Sequence, residues 1–377
     1  MKKRTIQKVI EDKMLDWMNT LPVEIQEYVG SKIVVTGGCI ASMFLREQVN
    51  DYDLYFRNIK AATMVSRHYC NKWTEENNAQ RKAGHIVKDI EPVLRITFSD
   101  DDSDDKAVSK FLDKLDPQRS KVLGGKDHEG RIRALVHPKD VALDDLLESG
   151  WFIMKRVEIF IQSQGFVGEN PDEEYDYFEG REVGSAEDFI EKSLVNEEGL
   201  NAQGEKYRTV FMSSNAITLS DKIQIVIRFF GEPSEIHDTY DFIHATNYWT
   251  KKDGLVTNTR ALEALLAKEL VYSGSKYPLA SIFRTRKFIK REWTCHVGNF
   301  VKMAMQLNEM DLSKPDVLEE QLTGVDAAYL FQIIRAVKEK RKEDPDFEFN
   351  STYICTLVDR MMGESGQTSE DTDIELI

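Results

Sequence analysis

A short β-branched run, Lys32-Ile33-Val34-Val35, breaks at Gly37-Gly38, and after twelve further residues Asp51-Tyr52-Asp53 opens a second apolar run. Nothing else in the chain constrains the fold as tightly. The first run has the length of a buried strand, and the two glycines end it where no Cβ obstructs the backbone. Ile40, Phe44 and Leu45 lie on one face of a helix predicted to start near Cys39 and to end at Asn50. Tyr52, Leu54 and Phe56 then alternate as in a strand. Alternation puts Asp51 and Asp53 on one face, with Tyr52 and Leu54 turned to the core.

Two carboxylates held this close repel unless a cation lies between them. Magnesium takes oxygen ligands and commonly uses one or two protein carboxylates together with substrate phosphates. Gly37 and Gly38 let the backbone approach a triphosphate, and the N–H groups of the following helix suit its charge. Ser42, one turn in, either reaches a phosphate or faces solvent. Phosphoryl and nucleotidyl transfers are largely positioning and charge neutralisation, so a metal pair with a phosphate cradle points to that chemistry. Magnesium is the expected cofactor, with manganese as a substitute.

Composition narrows the alternatives. The net charge of −15 argues against a protein that coats nucleic acid. A local basic groove is still available in Arg284, Arg286, Lys287, Lys290 and Arg291, with Lys268 and Lys276 upstream. Cys39, Cys70, Cys295 and Cys355 form no C-x-x-C pair, which excludes the usual structural zinc spacings and predicts reduced thiols. No run of 18 apolar residues spans a membrane. The basic start, Met1 to Arg4, leads into Ile6, Val9, Ile10, Met14 and Trp17 at helical spacing, which predicts a surface helix and not a signal peptide. A cytoplasmic protein is expected.

Along the chain, helices are expected over 5–30 with a break at Pro22, and a polar helix from Phe56 to about Gly84. Val93 to Phe98 reads as a strand, and Ser99 to Asp105, with five aspartates, as a solvated loop lacking the Gly and Glu of a calcium loop. Phe111, Leu112, Leu143, Leu146, Leu147 and Trp151 suggest helices, Glu169 to Glu182 is acidic and aromatic, and Gly199 to Gly204 reads as a loop. Thr209 to Met212 and Ile223 to Ile227 read as strands separated by Asn215 to Asp221, and Phe242 to Tyr248 as a third. Helices follow over 260–271 and around Leu330, Ile333, Ile334 and Val337; Gly363 to Asp373 is expected to be disordered.

The blocks Val35-Thr36-Gly37-Gly38-Cys39-Ile40-Ala41-Ser42 and Asn50-Asp51-Tyr52-Asp53-Leu54-Tyr55-Phe56 resemble the polymerase-β-type nucleotidyltransferase superfamily. A second set is similar to a branch found in large phages and in fungi: Ile223 to Val226, Tyr240-Asp241-Phe242, Leu270 to Gly274, Tyr277-Pro278-Leu279 and Arg284 to Lys287. The resemblance implies an α+β fold: a nucleotidyltransferase-type mixed β-sheet flanked by helices, with an inserted arm and a helical C-terminal region. It also implies a third metal carboxylate on a later strand. Asp241 fits that place, with Asp238 and Glu91 as rivals and a turn-capping acid as the plain alternative. Lys276, Arg284 and Lys287 would hold the triphosphate or an RNA backbone, or form a solvated helix face. Ser213, Ser214 and Asn215 either contact sugar or base or simply turn the chain, and Tyr272 and Tyr277 either stack on a base or join the core. His237 and His244 read as structural.

The expected organisation is N-terminal helices over 1–30, a catalytic core over 31–98 and 207–293, and an insertion or specificity arm over 99–206. A helical region over 294–362 and a tail over 363–377 follow. The expected activity moves NMP from an NTP, ATP among them, to a hydroxyl, with an RNA 3′ end, tRNA included, as leading acceptor. The alternatives are a transferase acting on a protein or small molecule, a nucleotide-binding module without turnover, and a purely structural component. No membrane partner is expected.

Overall fold

The computed structural model describes residues 1–79, 206–212 and 216–312, the backbone of four strands between 91 and 162, and residues 317 and 321. The expectations placed on Ser99–Asp105, on the helices near 111 and 143–151, on Glu169–Glu182, Gly199–Gly204 and Ser213–Asn215, and on the chain beyond 321 lie outside those residues. Two compact units divide the chain. One comprises Met1–Gly184 and Asp188–Ser273, and the other Ser185–Glu187 and Gly274–Ile377. Their boundary falls at Ser273/Gly274, inside the stretch 207–293.

The first unit opens with α1 (Lys3–Met18) and α2 (Val23–Val29), divided at Pro22 as its lost N–H requires. Then come β1 (Ile33–Thr36), α3 (Gly38–Leu45), β2 (Tyr52–Phe56) and α4 (Ile59–Ala79). The helix α3 stops at Leu45, short of Asn50, because Arg46 turns left-handed with φ of 62° and caps it. The strands β3 (Glu91–Thr97), β4 (Lys121–Lys126), β5 (Ile132–Val136) and β6 (Arg156–Gln162) form a separate four-stranded sheet, in the order β4-β5-β3-β6. The strand expected over 93–98 therefore pairs with strands of the inserted segment, not with β1 and β2.

The main sheet is completed by β7 (Thr209–Met212), β8 (Ala216–Leu219), β9 (Ile223–Phe230), β10 (Tyr248–Thr250) and β11 (Gly254–Val256). Its order is β11-β10-β1-β2-β9-β8-β7, with β2 and β9 parallel and the other pairs antiparallel. This is the expected α+β mixed sheet flanked by helices. Two expectations about its second half need correcting. The spacer 215–221 contains β8, whose four residues hydrogen-bond to β9. The segment 242–248 is not a strand: Phe242 makes one isolated bridge to Tyr272, Ile243–Ala245 wind into a 3₁₀ turn, and only Tyr248 onward joins the sheet. Thr246 Oγ1 donates to the Ile243 carbonyl at 2.8 Å, a local bond that competes with strand pairing.

Burial is uneven on the sheet's two faces, and that asymmetry positions the site. Ile33, Val35, Tyr52, Leu54, Phe56, Ile223, Ile225 and Ile227 lie in one core with α1, α3 and α4, including Ile10, Trp17, Ile40, Val65 and Tyr69. There the Trp17 indole N–H donates to the Tyr69 hydroxyl at 2.9 Å. The opposite face carries a small apolar cluster of Val34, Tyr55 and Ile236, flanked by Val226, Phe229, Tyr240 and Tyr248. A short helix, α5 (Pro233–His237), supplies Ile236 to it, started by Pro233 and by a capping box in which Glu235 accepts from the Glu232 N–H at 2.7 Å. Finally α6 (Thr259–Ala267) is capped by Asn258 and stopped by Lys268, left-handed with φ of 47°, so its last residue, Ala267, falls four short of the expected 271.

The described part of the second unit is helical, as expected of the C-terminal region. It holds α7 (Pro278–Lys290) and α8 (Val297–Asn308), with Gln306 bonded to the backbone N–H and carbonyl of Ser275 at 3.4 Å each. Among the described residues no helix is long and apolar enough to cross a membrane.

Candidate active site at the end of strand β1

Thr36 ends β1 directly opposite Asp53 on β2. The chain then turns through Gly37, whose φ of +93° is open to glycine and strained for other residues. The turn is tight against the acid: a Cβ on Gly37 would lie 2.8 Å from Asp53 Oδ2 and 3.5 Å from the Tyr240 hydroxyl. Gly38 differs. It is exposed, starts α3, and a Cβ there would meet nothing within 4 Å. The Asp53 carboxylate therefore lies against the turn that starts α3, with an open flank at Gly38.

Electrostatics agree with the two-carboxylate reading. Burial, and then the charge of Asp51, raise the Asp53 pKa well above the usual carboxylate range. Burial also raises the Cys39 thiol, with Asp53 and Asp51 adding to the effect, so Cys39 is a protonated, inert thiol in the first turn of α3. Cys39, Cys70 and Cys295 are all free, as expected. Oxygen donors on two neighbouring acids, one of them with its pKa raised by burial and then by the other's charge, fit a hard divalent cation, which would relieve the repulsion. Among the described residues no three His, Cys, Asp or Glu side chains gather as a metal-binding group.

The other predicted site residues are distributed as follows. Ser42 is half-buried one turn into α3. Asp241 opens no strand; it is buried before the 3₁₀ turn, and its carbonyl accepts from the Ser273 N–H at 2.9 Å and the Ser273 hydroxyl at 3.0 Å. Of its rivals, Asp238 is an exposed C-cap of α5 and Glu91 begins β3 in the other sheet. Lys276, Arg284 and Lys287 belong to the second unit, where Lys276 and Lys287 are exposed and Arg284 is half-buried on α7. Tyr272 and Tyr277 are buried, which removes them as open stacking platforms.

Sequence reasoning gave His237 a structural place but missed its partner Thr36, with which it anchors the turn. Thr36 Oγ1 lies 2.9 Å from His237 Nε2 and 2.9 Å from the Asn247 carbonyl, with the Ala245 carbonyl at 3.3 Å. Its single hydrogen goes to a carbonyl, so His237 donates through Nε2–H. Burial lowers the His237 pKa to about 4, opposed by Asp238, which keeps the ring neutral at physiological pH. His244 is buried and stacked on Phe242 with centroids 6.1 Å apart. The structural reading of both histidines stands, and His237 adds a support for the glycine turn. Thr36→Val should therefore lower stability by about 1–3 kcal/mol, since it leaves buried polar groups unpartnered. A denaturant midpoint equal to that of the unmodified protein would contradict this.

The Gad2 family, described as Gabija anti-defense 2 family protein, matches residues 8–268, well over half of the chain. The chain belongs to the Gad2 family. The matched stretch contains Gly37, Gly38, Asp51, Asp53 and Asp241 and ends before Lys276. Neither a curated protein nor a solved structure matches the chain.

Proposed function

We propose that this Gad2-family chain is a magnesium-dependent nucleotidyltransferase of the polymerase-β type, encoded by a phage and acting in the host cytoplasm against Gabija defence. The observation that carries this reading is the packing of the Gly37 turn on Asp53, which sets a carboxylate pair beside the first turn of α3. Asp51 and Asp53 would hold magnesium, or manganese, which when bound neutralises phosphate charge and acidifies the attacking hydroxyl. Gly37, whose own N–H donates to the Ala245 carbonyl at 3.2 Å, lets the chain turn so that the first turn of α3 from Gly38 faces the triphosphate, and His237 and Thr36 hold that backbone in place. The transferred group is an NMP and the acceptor a hydroxyl. The basic residues Arg284, Lys287 and Arg291, three and seven positions apart on and just beyond α7, favour an RNA 3′ end, tRNA included, over a protein or small molecule.

The test is incubation with each α-labelled NTP, magnesium and total host RNA. Label on RNA with release of pyrophosphate is expected. Neither label on any acceptor nor pyrophosphate would reject the transferase. A second reading, a nucleotide-binding module without turnover, draws on the lack of a three-acid cluster among the described residues. Calorimetry separates the two: NTP binding unaffected by magnesium and by Asp53→Asn favours the module.

A further inference from the structure

The place beside Asp53 on the adjoining strand is taken by an amide. In the parallel pair of β2 and β9, Tyr52 aligns with Ile223, Asp53 with Gln224 and Leu54 with Ile225. Aligned residues of neighbouring strands share a face, and successive residues alternate. Tyr52, Leu54, Ile223 and Ile225 all lie in the helix-covered core. Asp53 and Gln224 therefore share the opposite face. Gln224 is half-buried there and makes no side-chain hydrogen bond among the described residues. Asp241, by contrast, lies on no strand.

We propose that Gln224 is the third group of the cation site and that its carboxamide oxygen completes what Asp51 and Asp53 begin. This inference rests on the reading of the site as a metal-dependent nucleotidyltransferase centre. A carboxamide supplies an oxygen without charge. Cation affinity at oxygen sites follows the count of charged ligands. With two charges in place of three, the free protein holds a divalent cation weakly and takes it up together with the triphosphate, whose oxygens supply the missing charge. Cation and nucleotide binding are then strongly coupled, and the coupling is reciprocal.

Calorimetry with manganese chloride, alone and with a non-hydrolysable ATP analogue, tests this on the full chain. Gln224→Glu keeps the shape and adds the charge. It should tighten manganese binding without nucleotide by about tenfold or more, melt below the unmodified protein in the absence of cation, and regain that loss when manganese is added. Gln224→Leu should weaken manganese binding in the presence of the analogue by about tenfold, and Asp241→Asn should leave both affinities within about twofold. The proposal is overturned if both Gln224 variants bind manganese as the unmodified protein does, or if Asp241→Asn abolishes binding. Asp53→Asn tells the two levels apart. If it too has no effect, or the unmodified chain binds no manganese with or without the analogue, the nucleotidyltransferase reading fails along with this one.

Discussion

Asp53→Asn should abolish nucleotidyl transfer, by at least about 10²–10³-fold, while the protein melts no lower than before. The loss follows from removing one of two charges on which the substrate's phosphates and cation depend. The unchanged or raised melting temperature follows from the carboxyl's surroundings, where burial and Asp51 raise its pKa. An acid whose folded pKa lies above its unfolded value, near 3.9, binds its proton more tightly in the native state. Ionisation of Asp53 therefore destabilises the native protein progressively as pH rises from about 4 through the raised folded value. The amide removes that dependence. Melting curves from pH 4 to 8 without divalent cation should fall less steeply for the variant than for the unmodified protein, and magnesium should raise the latter alone. A variant that melts lower yet retains transfer would contradict both parts.

The second large effect separates two adjacent glycines. Gly37→Ala places a methyl group 2.8 Å from Asp53 Oδ2 on a backbone with φ of +93°. The conformation alone costs about 1–3 kcal/mol, and the displaced carboxylate should reduce transfer by about 10²-fold. Gly38→Ala meets no atom within 4 Å and has a helical backbone, so its stability should equal or slightly exceed the original. If the open flank at Gly38 receives the triphosphate, this silent change in stability should still weaken NTP binding, measured by calorimetry with magnesium. Equal melting losses for the two alanines would show that the turn is not the strained element.

The first half of the site was legible because it is local. Strand, glycine turn, helix and second strand follow one another within 24 residues, from Ile33 to Phe56, and their alternation and punctuation are short-range signals. The placements that failed depend on partners far away. Asp241 sits beside a single bridge to Tyr272, and β10 and β11 have three residues each, too few for alternation to declare itself. His237 and Thr36 are 201 positions apart, and no local pattern joins them. Gln224 did leave a signal. In Ile223-Gln224-Ile225-Val226-Ile227 the isoleucines mark the core face, so the glutamine belongs to the other. Only the register of β9 against β2 shows that this face is the one Asp53 occupies.

The position of β1 also bears on how the protein is made. β1 lies between β2, which follows it closely, and β10, whose residues emerge from the ribosome only after some two hundred more: Thr36 and Asn247 are 211 positions apart. Until then β1 has an unpaired edge, and the Thr36 hydroxyl lacks both His237 and the Asn247 carbonyl. Such long-range closure slows folding and leaves a sticky edge open during synthesis. Fragments ending before residue 248 should accumulate as protease-sensitive or aggregated chains, and a growing population of them would slow the appearance of active protein after its message arrives.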